Sequence, residues 1–198
     1  MHRGTFDTRL ESGLIISSHV STSSSVLVGC VDRTAWVKVE GRGSFQNSSG
    51  LKEFVKQMIQ RGFREFVVDL QDCEQMDSTF MGTLAGVALR LRELGQGSLR
   101  ATNVNERNSD LLSSLGLDQL FTVESTGSVA AETEPLPDDE TLRVAEPKAL
   151  EAEAQKQAVL EAHEALVEAD RANAVKFKDV LEFLRNELNA QGSSDKEG

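Results

Sequence analysis

The chain has no tyrosine, one tryptophan, two cysteines, three prolines and three histidines in 198 residues, and each shortage excludes something. Cys30 and Cys73 are too few for a disulfide framework and too far apart for a zinc-ligand pattern. Reduced, buried thiols acting as small apolar side chains are the expectation. His2, His19 and His163 stand alone, with no second histidine at ligand spacing, so no metal is expected. No apolar run approaches the roughly 18 residues of a membrane span. A charged start followed by an apolar block and a cleavage site is also missing, so no secretory signal is expected and the expected location is cytoplasmic.

Clustered positive charge is lacking as well. The formal net charge is −11, which argues against nucleic acid or an anionic membrane surface as partner. The imbalance is local: residues 130–198 hold 17 acidic and 8 basic side chains, and residues 1–129 hold 15 and 13. Signatures of catalysis are missing too: there is no G-x-S-x-G, phosphate-binding loop or dinucleotide fingerprint. Gly41-Arg42-Gly43 reads as a turn. Asp69, Asp72, Glu74 and Asp77 are four carboxylates close in sequence, a pattern open to acid–base or cation chemistry but better read as a solvated, helix-capping loop. No catalytic residue, metal or cofactor is expected, and the protein reads as a non-enzyme.

What the chain does carry is periodicity. After a polar leader over 1–25, Val26 to Val31 is a short apolar run and Ala35 to Glu40 alternates, so two strands are expected around an Asp32-Arg33 turn. Gly41 to Ser44 is expected to stop the second. A helix capped by Ser48 or Ser49 carries Leu51, Phe54, Val55, Met58 and Ile59 and ends at Gly62. Phe66-Val67-Val68-Asp69-Leu70 barely alternates, as a central strand covered on both faces does. A loop comes next, then a helix from about Ser78 to Leu94, in which Gly82 and Gly86, one turn apart, are expected to let its backbone approach the sheet closely. Leu99 to Val104 makes a strand, and Ser109 to Phe121 a helix interrupted near Gly116, with a short final strand at Thr122-Val123. Alternating strands and helices imply an α/β fold, with a mixed, mostly parallel sheet of about five strands.

This domain is expected over 26–125, followed by an acidic linker over 126–146, a helical extension over 147–191 and a disordered tail over 192–198. In the extension, apolar positions from Val159 to Leu188 recur about every 3.5 residues, with Asn173 in their line. Two readings stay open: an oligomer-forming helix, or a helix folded back over its own domain.

Asp77 or Ser78 has the residue type of a helix N-cap. Placed at the carboxyl end of a central strand, Ser78 lies where open sheets present binding surfaces. A phosphate there would meet a helix N-terminus. Three stretches then resemble the STAS domain of bacterial anti-sigma factor antagonists. They are Phe66 to Leu70 with Met76-Asp77-Ser78-Thr79; Met81-Gly82-Thr83-Leu84 to Gly95 with Leu99 to Val104; and Asn108 to Leu120.

The resemblance implies that Ser78 is the phosphoacceptor of a serine kinase that is itself an anti-sigma factor, with Thr79 a secondary acceptor. It places the partner surface on Asp77, Ser78, Thr79, Phe80, Met81 and Ser44. Phe80 stands where the family usually has a small residue. The Gly41–Ser44 loop, likewise, stands where the family tends to carry an acidic one. A second function class is a constitutive scaffold subunit that oligomerises through 147–191.

Overall fold

The computed structural model describes residues 24–127, 137 and 139–194, so the leader up to Ser23 and the tail from 195 lie outside the described residues. Strands β1 (Ser25–Val31) and β2 (Thr34–Gly43) form a hairpin, followed by helix α1 (Phe45–Gln60), β3 (Glu65–Asp69), β4 (Cys73–Met76) and α2 (Ser78–Glu93). Then come β5 (Ser98–Val104), α3 (Glu106–Ser114), a 3₁₀ turn at Leu117–Gln119, β6 (Thr122–Ser125) and β7 (Arg143–Val144). Helices α4 (Ala152–Ala169), α5 (Asn173–Lys176) and α6 (Lys178–Ser194) complete the described elements.

The sheet runs β6-β5-β3-β2-β1-β7, with β4 pairing β2. β1 is antiparallel to β2 and β7, and every other pairing is parallel. The fold is therefore the expected mixed, mostly parallel α/β arrangement with a helical extension, but the described sheet has seven strands rather than about five.

The two additional strands have identifiable causes. β2 does not stop at Gly41. That residue adopts φ 69°, a left-handed conformation open to glycine, and the ladder slips by one register between Gly41 and Arg42. The bulge turns β2 away from β3, so that its last three residues pair with β4. In the stretch read as acidic linker, β7 adds to the free edge of β1, and the Ala145 amide donates to the Val26 carbonyl at 2.7 Å. Pro137 and Leu142 border Trp36 across a hollow of about 150 Å³.

Helix starts also move. α1 begins at Phe45, four residues before Ser49, because extended Ser44 (φ −141°) occupies the N-cap and donates its N–H to Asn47 Oδ1 at 2.8 Å. Ser48 is buried and its hydroxyl donates to the Ser44 carbonyl. α3 begins at Glu106, since Asn105 accepts the Asn108 N–H at 2.9 Å.

The core lies between the sheet and helices α1 and α2. Val37, Phe66, Val68 and Leu70 meet Leu51, Met58, Leu84 and Leu91, all at or below 1% exposure. Phe80 belongs to this group at 0%. Its ring fills the space left by Gly43: a Cβ there would stand 2.7 Å from the Phe80 ring. Both cysteines are reduced. Burial pushes both thiols up, outweighing Arg61 and Arg143 near Cys30 and the hydrogen bonds reaching Cys73. Among the described residues no helix is long and apolar enough to cross a membrane.

Replacing Phe80 with alanine should destabilise the domain by about 3–5 kcal/mol, the range for emptying a buried aromatic site. Urea denaturation would show it as a lower midpoint. An unshifted midpoint would contradict this placement of the ring.

Candidate functional site around Ser78

The site is built where two helix N-termini meet. The Asp77 amide donates to the Gly43 carbonyl at 2.9 Å, tying the end of β4 to the end of β2. Its carboxylate then accepts two backbone N–H groups: Phe80 on Oδ1 at 2.8 Å and Phe45 on Oδ2 at 2.9 Å. One side chain therefore caps α2 and also satisfies the first N–H of α1. Four such donors are orphaned at each helix start, and an anion is favoured beside both. Ser44 and Ser78 are thereby brought to one edge, each at the first turn or cap of its helix.

The other residues expected on this surface are placed differently. Asp77 is exposed, and Ser44 and Ser78 are half-buried. Thr79 and Met81 are buried, and Phe80 is wholly internal. Phe80 and Met81 thus belong to the core rather than to an outward docking surface, because they begin the inward stripe of α2. The four carboxylates do not converge. Asp69 is buried and accepts from the Gln71 amide and Asn103; Asp72 lies 3.4 Å from Lys38; Asp77 caps. Among the described residues no cluster suited to a metal ion occurs.

In the sequence His163 stands alone, yet in the fold its Nε2 lies 3.1 Å from Ser78 Oγ. The pairing is made by α4, which crosses α2 at backbone contact. A Cβ on Gly82 would fall 2.2 Å from the Ala162 carbonyl oxygen, so only glycine permits the crossing, and the close approach expected toward the sheet is made to α4 instead. His163 Nδ1 faces the Val159 carbonyl at 2.8 Å. A carbonyl can only accept, so in the neutral ring Nδ1 carries the proton and Nε2 accepts from the Ser78 hydroxyl. Phe177 packs edge-on against the imidazole, with ring centroids 4.9 Å apart. Ser78 and His163 are 85 residues apart, and no local motif announces the pair; only the tail's apolar stripe puts His163 beside a packing position.

Further along, buried Asn173 donates to the Leu115 and Leu166 carbonyls at 2.9 and 2.8 Å. The polar residue whose place in the stripe suggests an oligomer register is thus engaged within its own chain. A cleft of about 960 Å³ opens between α1, α2 and α4 beside the crossing. Neither Ser78 nor His163 borders it, so the hydroxyl–imidazole pair lies outside this substrate-sized space.

Residues 27–123, about half of the chain, match the family described as Mlab, STAS domain. This stretch is a STAS domain. Among solved structures, a putative anti-sigma factor antagonist from Thermotoga maritima is similar at 23% identity and TM-score 0.47, over 53% of this chain and 90% of that one. An anti-sigma factor antagonist from Mycobacterium paratuberculosis is similar at 19% and 0.45, over 55% and 89%. The unphosphorylated form of the antagonist SpoIIAA is similar at 14% and 0.44, over 52% and 90%. No curated protein matches the chain. The matched STAS stretch contains β2 to α3, and so all of the Ser44–Asp77–Ser78 edge; α4 to α6 lie beyond it.

Asp77→Ala removes the acceptor from both helix starts. At about 1 kcal/mol per lost cap, the STAS domain should lose about 2 kcal/mol, and Asp77→Asn distinctly less. Equilibrium denaturation of the two variants checks this, equal losses being the contrary result.

Proposed function

We propose that this protein is a non-catalytic signalling component of the anti-sigma factor antagonist type, working in the cytoplasm. The edge formed by Ser44, Asp77 and Ser78 binds a serine kinase that is itself an anti-sigma factor. Phosphorylation of Ser78, with Thr79 the secondary acceptor, ends that binding. The observation that carries the reading is the position of Ser78. Its hydroxyl is on the first residue of α2, directly after the cap and at the carboxyl end of β4.

Two physical arguments support it. A phosphoryl group on Ser78 would face the positive end of α2, so the domain would accommodate it. Beside Asp77 it would also add up to about two negative charges to an edge where a partner must come within contact distance. The fold is preserved while the docking surface is spoiled. Thr79 is the weaker acceptor because its side chain is buried.

A second reading, a constitutive scaffold subunit, is favoured by one observation. α6 leaves Phe183 60% exposed on the face away from Leu181 and Leu184. If α6 joins two copies through that ring, Phe183→Glu converts the larger species to monomer in sedimentation. An unchanged mass for wild type and variant removes this reading.

The leading reading is tested by titrating the full chain against a panel of anti-sigma serine kinases. Ser78→Asp should weaken binding at least about tenfold, the equivalent of about 1.4 kcal/mol. Incubation with kinase and ATP should place phosphate on Ser78 by mass spectrometry. Equal affinity of Ser78→Asp and wild type for every kinase bound would sink the switch.

A further inference from the structure

α4 lies against the half-buried Ser78, while Asp77 beside it stays exposed. Three kinds of contact hold the helix there. Ala162 meets the bare backbone of Gly82, His163 bonds Ser78 Oγ, and Leu166 enters the main core at 0% exposure. Two further bonds fasten the turn into α5: Asn173 to the Leu115 carbonyl and Lys176 to the Ser114 carbonyl. α6 packs on the outer side of α4 through Leu181 and Leu184 on Leu160, with the ion pairs Lys156–Glu187 and Arg185–Glu164.

The contact is incomplete on one flank. The cleft of about 960 Å³ separates α4 from α1, lined by Lys52, Lys56 and Ile59 on one side and Ala158 on the other. It is bridged at its mouth by the Lys52–Glu161 ion pair. Burial works against the Glu161 carboxylate, yet the bonds from Lys52 and Gln157 hold its pKa below the usual range. α4 therefore packs chiefly on α2, through Gly82, Ser78 and the buried Leu166, with its flank toward α1 open apart from the Lys52–Glu161 pair.

We propose that α4 is a displaceable cover over the Ser78 edge, held by the Gly82–Ala162 contact and the Ser78–His163 hydrogen bond, so that a partner reaches Ser78 only when α4 departs. This rests on reading Ser78 as the centre of a partner surface, but the physical device is testable without any partner.

Gly82→Ala is the sharpest probe. Alanine favours α2 itself by about 1 kcal/mol over glycine, while its methyl group collides with the Ala162 carbonyl. In the full chain, Ser78→Cys is prepared alone and together with Gly82→Ala. The modification rate of the thiol at position 78 by N-ethylmaleimide is followed by peptide mass spectrometry, which resolves it from half-buried Cys30 and buried Cys73. With Gly82→Ala present, the rate should rise at least about tenfold. Amides of residues 152–169 should lose hydrogen-exchange protection by a similar factor while β3 and β5 keep theirs. Rates equal within about twofold, with α4 protection intact, would overturn the cover. Should Gly82→Ala also expose β3 and β5, Ala162→Glu makes the same comparison without touching α2, and the same two results decide. A kinase panel that ignores the chain even with α4 released would overturn the partner reading and leave the cover standing. An unaltered thiol rate does the reverse.

Discussion

The crossing of α4 over α2 depends on a missing methyl group at Gly82. With a Cβ there, the Ala162 carbonyl would sit 2.2 Å away, and neither backbone can yield that distance without the whole helix shifting. Because Gly82 allows it, the two backbones touch, His163 reaches Ser78, and Leu166 reaches the core. Gly86, one turn on, faces Ala165 at ordinary van der Waals range, so the approach is tightest next to Ser78. A glycine inside a helix costs about 1 kcal/mol relative to alanine. Here that cost is offset by a helix–helix contact a larger residue would forbid.

Asp77 supplies the complementary constraint on the opposite side of Ser78. Its residue type marks it as a helix cap in the sequence, and so it is. What the sequence does not show is the second acceptor oxygen. That one depends on β2 continuing past Gly41 until Ser44 and Phe45 arrive beside α2. The bulge at Gly41, the short strand β4 and the early start of α1 are therefore one event. Once β2 turns to pair β4, the chain after Gly43 is delivered to Asp77, and α1 must begin there.

Legibility in the sequence tracks the range of the forces involved. β3 carries a continuous apolar run and α2 a helical stripe, and β5 sets its apolar Leu99, Ala101 and Val104 among polar residues, so their place in the chain can be read directly. β4, Cys73-Glu74-Gln75-Met76, has no β-branched or aromatic residue; it is a strand only because the bulged end of β2 offers it an edge. β7 is two residues long and exists for the same kind of reason at β1. The resemblance places Phe80 on the partner surface, although its spacing to Leu84, Val87 and Leu91 also sets it in the apolar stripe of α2. Helical geometry turns it through roughly 100° per residue into the hole above Gly43. The edge at Ser78 is thus legible, and so is the helical spacing that turns Phe80 inward; only the resemblance puts its ring on the docking surface. The Ser78–His163 pair is beyond any local reading, since it joins the domain to a segment outside the matched STAS stretch.

A cover is useful as a switch only if it is neither too weak nor too strong. Burial of Leu166 and the fixed bonds of Asn173 make α4 more than a frayed appendage. The flank toward α1 stays open, and the latch at the edge itself is a single hydroxyl–imidazole bond. Were the closed state favoured by about 2 kcal/mol, about one molecule in thirty would stand open, and a partner's apparent affinity would fall about thirtyfold. A partner that binds the bare edge at micromolar strength or better can overcome that, whereas casual contacts cannot. Charge at Ser78 works on both sides of this balance. It removes the hydroxyl that His163 accepts from, and it adds negative charge to the edge a partner must cover, which disfavours docking. An open state thus need not be a bound state, and the tail and the serine act as two separate controls on one surface.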